Sequence, residues 1–466
     1  MINYTDQIKR IKGKLLEAKN ADKNLKVFGA DRHKYLINKP TTLESVTEFE
    51  TKYSIKLPEC YKTFILEFGN GGIGWRNSAA GPFLGVYPFR ENINELIYEN
   101  TEKYLKEECV LVPNMTDDHW RKLNRNIEED TEISDKDYET ELGKLWSGIL
   151  PIGSQGCTYL HGIVLNGQYN GRVVNLDIDR QKPHFTYETN FLDWYERWLD
   201  EIVDKTLLQD GPSWFGYGVG GKSEQLLTNY KNETNTESRC EIANAILQKA
   251  TIETKLIEFI EQEYIFDKNN LILLQILTKF DYSKAKKYLL QLSEIDFLLA
   301  MKVVRENAVD KGNEWIEIIN KNIDKIENHD SYLNIRKILE KTEIDFGEII
   351  LPLLSSETED IRSSVINTLG NLKNKNKYLE AFIVGLSDNS KSVLLHSLYA
   401  LYESKEKILI PHYQKILHSL PEEKSQIEQN IENSIISNLK MFNITSESLQ
   451  NKPNLLNNKK WYQFWK

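Results

Sequence analysis

A cysteine and a histidine four residues apart are the pair in this chain whose residue types best suit nucleophilic catalysis. Cys157 and His161 lie in the stretch GCTYLHG, and a thiolate nucleophile beside an imidazole base is a common catalytic arrangement. The surrounding residues favour a β-strand, in which four positions span about 13 Å. Because the two side chains would share a face without touching, we expect a small buried thiol and a turn-facing histidine, and no catalytic dyad.

Asp177, Asp179 and His184 offer the ligand types of a divalent metal, and alternation along a strand would place both aspartates on one face. The run DIDRQKP is also typical of a strand that ends in a turn, because Pro183 interrupts a β-ladder. The GNGG that begins at Gly69 ends a helix, where the dipole disfavours an anion. We therefore expect no catalytic residue, no cofactor and no metal, with a cysteine- or metal-dependent hydrolase as a remote alternative.

Length and composition limit the classes of protein. The chain has 466 residues, 27% of them charged, and a net charge of −10, so we expect at least two domains and no direct binding of nucleic acid. The longest apolar run, LILLQILTKF, is too short to cross a bilayer. Four scattered cysteines lack metal-site or disulfide spacing. These features predict a cytoplasmic protein with no membrane contact.

The negative charge is concentrated in one segment. Residues 91–141 contain 16 acidic and 6 basic residues, and such a patch can steer a basic partner towards the protein. A solvated insertion that only aids solubility is the simpler alternative. The residues that we predict to bind a partner are Asp117, Asp118, Glu128, Glu129 and Asp130.

Residue patterns predict mixed α+β structure in the first 205 residues. Thr42 caps one helix, and a second begins at Pro58 and ends at GNGG. GPFLGVYPF reads as a short strand, NINELIYENTEKYL as a helix, and TYLHGIVLN with GRVVNLDI as an antiparallel hairpin. A helix with Phe191, Trp194, Tyr195 and Trp198 on one face closes this domain, since these residues recur at helical spacing.

The remainder of the chain reads as helical. We predict a glycine-rich linker at 206–232, an all-α domain at 233–450 and an aromatic tail at 451–466. Two segments that begin at Leu354 and Leu386 align at an offset of 32 residues, which is typical of stacked helix pairs. They resemble HEAT-type repeats, including the triplet Asp360, Ile361 and Arg362 that opens the second helix of such a unit.

The order of motifs in the first part resembles the SUKH superfamily, which includes bacterial toxin-immunity proteins and the fungal Smi/Knr regulators. The resemblance covers residues 40 to about 205. It implies an antiparallel sheet flanked by helices. The matching residues are the helix-opening Leu57, Pro58 and Tyr61, the glycine stop Gly71 and Gly72, the turn Ile152, Gly153 and Gly156, the second-strand Gly171, and Phe191 and Trp194 of the closing helix.

The resemblance implies a non-enzymatic domain that binds a protein. We expect a bacterial immunity protein that neutralises a cognate polymorphic or contact-dependent toxin by direct contact. Such toxins are frequently nucleases with basic active sites, which the acidic segment could mask. The alternative is an adaptor or scaffold that acts mainly through the helical repeats.

Overall fold

A computed structural model describes residues 4–128, 132–209 and 215–445 of the chain. The chain divides into two compact units, residues 1–276 and 277–466, and each is described by itself. The predicted domain limits at 205 and 232 fall within the first unit. The predicted aromatic tail, 451–466, lies outside the described residues.

The sheet of the first unit has four antiparallel strands in the order β1–β2–β3–β4. The strands are β1 Ile149–Gly156, β2 Tyr159–Val164, β3 Val173–Asp177 and β4 His184–Phe185. The predicted hairpin is confirmed as β2 and β3, in which Leu160 faces Leu176 and Ile163 faces Val173. The α+β class of this part of the chain is therefore confirmed.

The helices of the first unit are α1 Thr5–Ala21, α2 Ala30–His33, α3 Leu43–Tyr53, α4 Glu59–Thr63, α5 Thr101–Tyr104, α6 Asp117–Glu128, α7 Asp135–Leu145, α8 Phe191–Val203, α9 Ser223–Asn232, α10 Thr236–Leu247 and α11 Thr254–Phe266. Helix α12, Leu271–Phe280, begins in the first unit and ends in the second. Thr42 caps α3 as predicted, because its hydroxyl accepts a hydrogen bond from the Ser45 amide at 3.2 Å. Asn190 caps α8 in the same way.

Side chains of β2 and β3 alternate between the two faces of the sheet. Ile163 and Val173 join a hydrophobic cluster with the aromatic residues of α4 and α8. Leu160 and Leu176 join a second cluster that includes Trp146. The sheet is thus covered on both faces, with α8 on one side and α6 and α7 on the other.

The helix predicted from Pro58 is confirmed in its extent. It begins as α4 and continues as a π-helical turn, Phe64–Phe68, that ends at Gly69. Tyr61, Phe64, Ile65 and Phe68 are all buried. This segment carries the aromatic side chains that pack against α8, where the Phe64 and Tyr195 ring centroids lie 4.9 Å apart.

Three local predictions were wrong. The helix expected over NINELIYENTEKYL is only α5, because Asn100 adopts a positive φ and interrupts it. GPFLGVYPF forms isolated bridges at Val86 and no regular strand. Ile152, Gly153 and Gly156 belong to strand β1 and not to a turn, because irregularities in the β1–β2 register accommodate the residues of low strand propensity.

The second unit is helical in its described residues. Its helices are α13 Tyr282–Ile295, α14 Phe297–Asn307, α15 Ile316–Lys321, α16 His329–Leu339, α17 Gly347–Ile350, α18 Glu359–Asn371, α19 Leu379–Gly385, α20 Lys391–Ala400, α21 Ile410–Ser419 and α22 Gln426–Leu439. Helix α18 packs on α20, and α20 packs on α22. This stacking is compatible with the predicted HEAT-like solenoid.

The two aligned repeat segments contain α18 and α20 at equivalent positions. Ile361 and Val393, which the offset of 32 pairs, are both buried. Arg362 of the repeat triplet forms a two-pronged ion pair with Asp388, with both N–O distances at 2.8 Å. The triplet therefore ties the start of α18 to the residues just before α20.

Within the described ranges, no helix combines the length and the apolar composition that a membrane span requires.

Candidate functional site

Cys157 and His161 lie in different environments and do not meet as a dyad. Cys157 sits in the turn between β1 and β2, has a φ of 49° and is exposed. His161 is fully buried on β2, opposite Gly153 of β1. The expectation of a buried thiol and a turn-facing histidine was wrong, because the chain turns at Cys157 and Thr158, after the glycines that were expected to form the turn. The thiol lies at the turn, and the imidazole points into the domain.

Two polar side chains, buried Asn175 and half-buried Gln155, contact His161. Its Nδ1 lies 2.9 Å from Oδ1 of Asn175, and the Gln155 amide donates to the same oxygen at 3.0 Å. Burial lowers the pKa of His161 to about 3. The imidazole is therefore neutral at physiological pH, and this group of Gln155, His161 and Asn175, which we term the polar cluster, carries no net charge.

The polar cluster holds the segment that follows α8. The Asn175 amide donates to the Gly216 carbonyl at 3.2 Å, and the Tyr217 hydroxyl donates to Oε1 of Gln155 at 2.9 Å. The sequence did not predict roles for Gln155, Asn175 or Tyr217, and it placed Gly216 in the linker. Glutamine and asparagine in a sheet that is covered on both faces are a signal that could have found them, since buried amides require partners.

Asp177, Asp179 and His184 do not form one ligand set. Asp177 ends β3 and is buried, whereas Asp179 lies in the following turn, where its backbone amide donates to Oδ1 of Asp177 at 3.1 Å. The His184 ring stacks on Tyr217, and burial together with Lys182 lowers its pKa. In the described residues, no group of three or more His, Cys, Asp and Glu could hold a metal.

Several of the residues that match the SUKH motifs lie where α4, β3 and α8 come together. Gly171 has a φ of 85°, and a Cβ there would lie 3.2 Å from Sγ of Cys60 and 3.4 Å from Pro58. Its carbonyl accepts a hydrogen bond from the Phe191 amide at 2.9 Å. Glycine is required here because a side chain would be strained and would crowd the start of α4.

The other residues that match the SUKH motifs lie in the core or in tight backbone contacts. Leu57, Tyr61 and Trp194 are buried, and Gly72 lies so close to the Leu36 and Ser78 carbonyls that a Cβ would clash with both. Gly71 has a φ of 67°. These positions serve packing and backbone geometry.

The predicted acidic residues are partly neutralised. Asp117 and Asp118 are exposed at the start of α6, where Lys182 binds the first and Lys122 binds the second at 2.9 Å. These lysines lower the pKa of each carboxyl. Glu128 accepts a hydrogen bond from Asn124, and the predicted residues Glu129 and Asp130 lie outside the described residues.

Glu99, Asp135 and Glu139 form a second concentration of negative charge, which basic side chains neutralise less than they do at Asp117 and Asp118. Burial first, and then the charges of Glu99 and Asp135, raise the pKa of Glu139. Tyr98 is 51% exposed beside these carboxylates, and burial together with Tyr138, Glu139 and Glu95 raises the pKa of its hydroxyl. We term Tyr98, Glu99, Asp135 and Glu139 the acidic surface. It offers negative charge and an exposed aromatic ring in one place.

Residues 40–197 match the model of the SMI1 / KNR4 family (SUKH-1). This segment is about a third of the chain, and it contains both the polar cluster and the acidic surface. A search of curated proteins and a search of solved structures each found no match. The chain thus contains a SUKH-1 domain at residues 40–197, followed by a helical region.

Proposed function

We propose that this protein is a non-enzymatic immunity protein whose SUKH-1 domain binds a cognate toxin domain and neutralises it. The observation that carries the proposal is the match of residues 40–197 to a family known in immunity proteins. We further propose that the protein acts in the bacterial cytoplasm, where it would meet a toxin after its delivery.

The acidic surface supports a basic partner such as a nuclease. Glu99 and Asp135 are exposed. Their negative charges, after burial, raise the pKa of the neighbouring Glu139. Exposed Tyr98 adds the kind of rigid aromatic side chain that is enriched at protein interfaces. Negative charge increases the rate at which a basic protein finds this face, and the aromatic ring contributes buried area once contact is made.

The same geometry argues against a hydrolase. Catalysis by the cysteine would need a base within about 3 Å, whereas Cys157 is exposed at a turn and His161 is buried and bonded to Asn175. The Asp179 backbone amide donates to Oδ1 of Asp177, and among the described residues the two aspartates have no third side chain with which to hold a metal. The proposed action is therefore occlusion of the toxin by binding.

Protection of cells tests this proposal. The full chain is expressed together with the toxin-like domain encoded by the adjacent gene, and survival and co-purification are measured. We expect survival and a stable complex. The absence of both with a folded chain would contradict the proposal.

Two exposed substitutions separate binding from catalysis. Cys157→Ser and Asp179→Asn should leave both protection and complex formation unchanged. Loss of protection by either variant, with the complex intact, would favour an enzyme. Glu17→Gln, at an exposed position of α1 outside residues 40–197, is a matched control for a harmless surface change.

A further inference from the structure

We propose that one face of the SUKH-1 domain is a peptide-binding groove, and that the chain fills it with its own residues 215–221, which we term the strap. The groove is lined by Gln155, Asn175, His184 and Trp194. Each of these residues lies within the segment that matches the family, whereas the strap begins after that segment ends at residue 197. The groove thus belongs to the domain, and the strap is added after it. This inference does not depend on toxin neutralisation.

The strap is bound through both its backbone and its aromatic side chains. Asn175 donates a hydrogen bond to the Gly216 carbonyl, and Gln155 accepts one from the Tyr217 hydroxyl. The Tyr217 ring stacks on His184, with a centroid distance of 5.4 Å and an interplanar angle of 21°. Residues 215–217 form a turn, and both a backbone carbonyl and ring side chains of that turn are held by the domain, as in the binding of many peptides.

The first aromatic residue of the strap enters a pocket on α8. Phe215 is only 4% exposed. Its ring centroid lies 6.1 Å from that of Trp194 and 5.1 Å from the Arg197 guanidinium. Arg197 is held in place by Glu188 at 2.7 Å and Glu201 at 2.8 Å. The pocket therefore has rigid walls, which suits recognition of one aromatic side chain.

The glycines of the strap serve close contact and not only flexibility. A Cβ at Gly220 would lie 1.9 Å from Nε of Arg197, so a side chain there must displace the strap or the guanidinium. Gly216 has a φ of 82°. A Cβ at Gly218 would meet nothing within 4 Å. The strap therefore needs glycine where it touches the domain, and tolerates a side chain at Gly218.

The groove has hydrogen-bonding capacity that the strap does not use. Trp194 Nε1 and His161 Nε2 are buried without a hydrogen-bond partner. A Cβ at Gly216 would lie 3.6 Å from Trp194 Nε1, in ordinary contact. Asparagine accepts the left-handed backbone that this position requires, and its side-chain oxygen could accept from the indole N–H. The ligand class is therefore a peptide that makes the same turn, with an aromatic residue, then asparagine or glycine, then tyrosine.

A pair of matched glycine variants tests the groove in the full-length protein. Gly220→Val should release the strap, and Gly218→Val is the control. The probe is a fluorescein-labelled peptide with the sequence of residues 215–221, FGYGVGG. We expect it to bind Gly220→Val at least tenfold more tightly than it binds the unaltered chain or Gly218→Val, because the tethered strap competes at an effective concentration of about 1 mM. The peptide FNYGVGG should bind more tightly again.

Hydrogen exchange of the strap amides shows whether the strap has been released, so that each binding result supports or contradicts the proposal. If exchange shows that Gly220→Val has released the strap while the sheet stays protected, and neither peptide binds, the proposal is wrong. If the strap stays in place, the same peptides are added to a chain in which residues 215–221 are replaced by SGSGSGS. Failure to bind that folded chain also overturns the proposal, and the strap is then only a structural part of the domain.

Discussion

The two units of the chain hold their backbones in place by different means. Among the described residues, fourteen non-glycine residues of the first unit have positive φ, whereas Glu403 and Asn443 are the two in the second. The first unit is thus rich in loops whose conformations must be enforced by their surroundings. Loops on a rigid frame are where binding residues concentrate, and both the acidic surface and the strap lie in this unit.

The hydrogen bonds of the two units also span different distances along the chain. Tyr195 of the first unit donates to the Ala80 carbonyl, 115 residues away. In the second unit, Tyr332 donates to Thr368, 36 residues away, and Arg362 pairs with Asp388, 26 residues away. The stability of the first unit therefore depends on contacts between residues that are far apart in the chain and must form together. The stability of the second unit depends on contacts between successive helix pairs.

Truncation of a core tryptophan should have the largest effect and should affect one unit. Trp198 is 1% exposed and packs against Tyr195 and Tyr35 in the first unit. We expect Trp198→Ala to lower the free energy of unfolding of that unit by about 3–5 kcal/mol. Urea unfolding followed by circular dichroism and by hydrogen exchange would measure it.

The matched control is a tryptophan of the second unit. Trp315 is also fully buried, and Trp315→Ala should destabilise the second unit by a similar amount. If both variants shift one common transition equally, the two units unfold as one, and the contrast drawn between them is wrong.

Acid should destabilise the first unit through its buried histidines, which are His161 and also His33, whose pKa burial lowers to about 4. Burial holds the pKa of His161 at about 3 in the folded state, below the value of about 6.5 in an unfolded chain. The unfolded state therefore binds more protons between these pH values, and stability falls as pH is lowered through that window. The expected slope from this residue is about 1.4 kcal/mol per pH unit.

Replacing the histidine separates this effect from general acid sensitivity. His161→Gln replaces the imidazole with an amide that can bond Asn175, and it should remove one proton from the pH dependence of the first unit. The pH dependence of the second unit should not change. An unaltered slope in the first unit would mean that His161 is not held neutral by burial.

The smallest of these effects concerns the repeat junction of the second unit. Asp388 accepts two hydrogen bonds from Arg362, which lower the pKa of its carboxyl. Asp388→Asn should lower the free energy of unfolding of the second unit by about 2 kcal/mol, since a charged hydrogen-bond partner is lost. Thermal unfolding would measure it. Asp360→Asn, at an exposed position, should change stability by less than about 0.5 kcal/mol, and an equal loss in both variants would contradict the role given to the ion pair.

Local patterns were sufficient to predict the elements that local interactions determine. The Thr42 cap, the β2–β3 hairpin and the aromatic face of α8 all follow from spacing and propensity, and all are present. The order of these motifs also predicted the SUKH-1 match. These features need only a few neighbouring residues to define them.

Features that depend on distant residues were not predictable. The β1 strand contains Pro151, Gly153 and Gly156, whose propensities oppose a strand, and pairing with β2 overrides them. The glycines near residue 218 suggested a linker, since their contacts with Arg197 and Asn175 cannot be seen in the sequence. The polar cluster was missed for the same reason, because its partners lie up to 62 residues apart.

The central claim is that the SUKH-1 domain recognises a basic toxin domain through its acidic surface. The most direct test is the association rate constant of the full chain with the toxin domain of the adjacent gene, measured by stopped flow. We expect Glu99→Lys with Asp135→Lys to lower that rate constant by about tenfold or more at low salt, and by less at high salt. The matched control replaces Glu17 and Glu67, which are also exposed, with lysine and should have a much smaller effect. Equal rates for the two double variants, or no association of the unaltered chain, would contradict the claim.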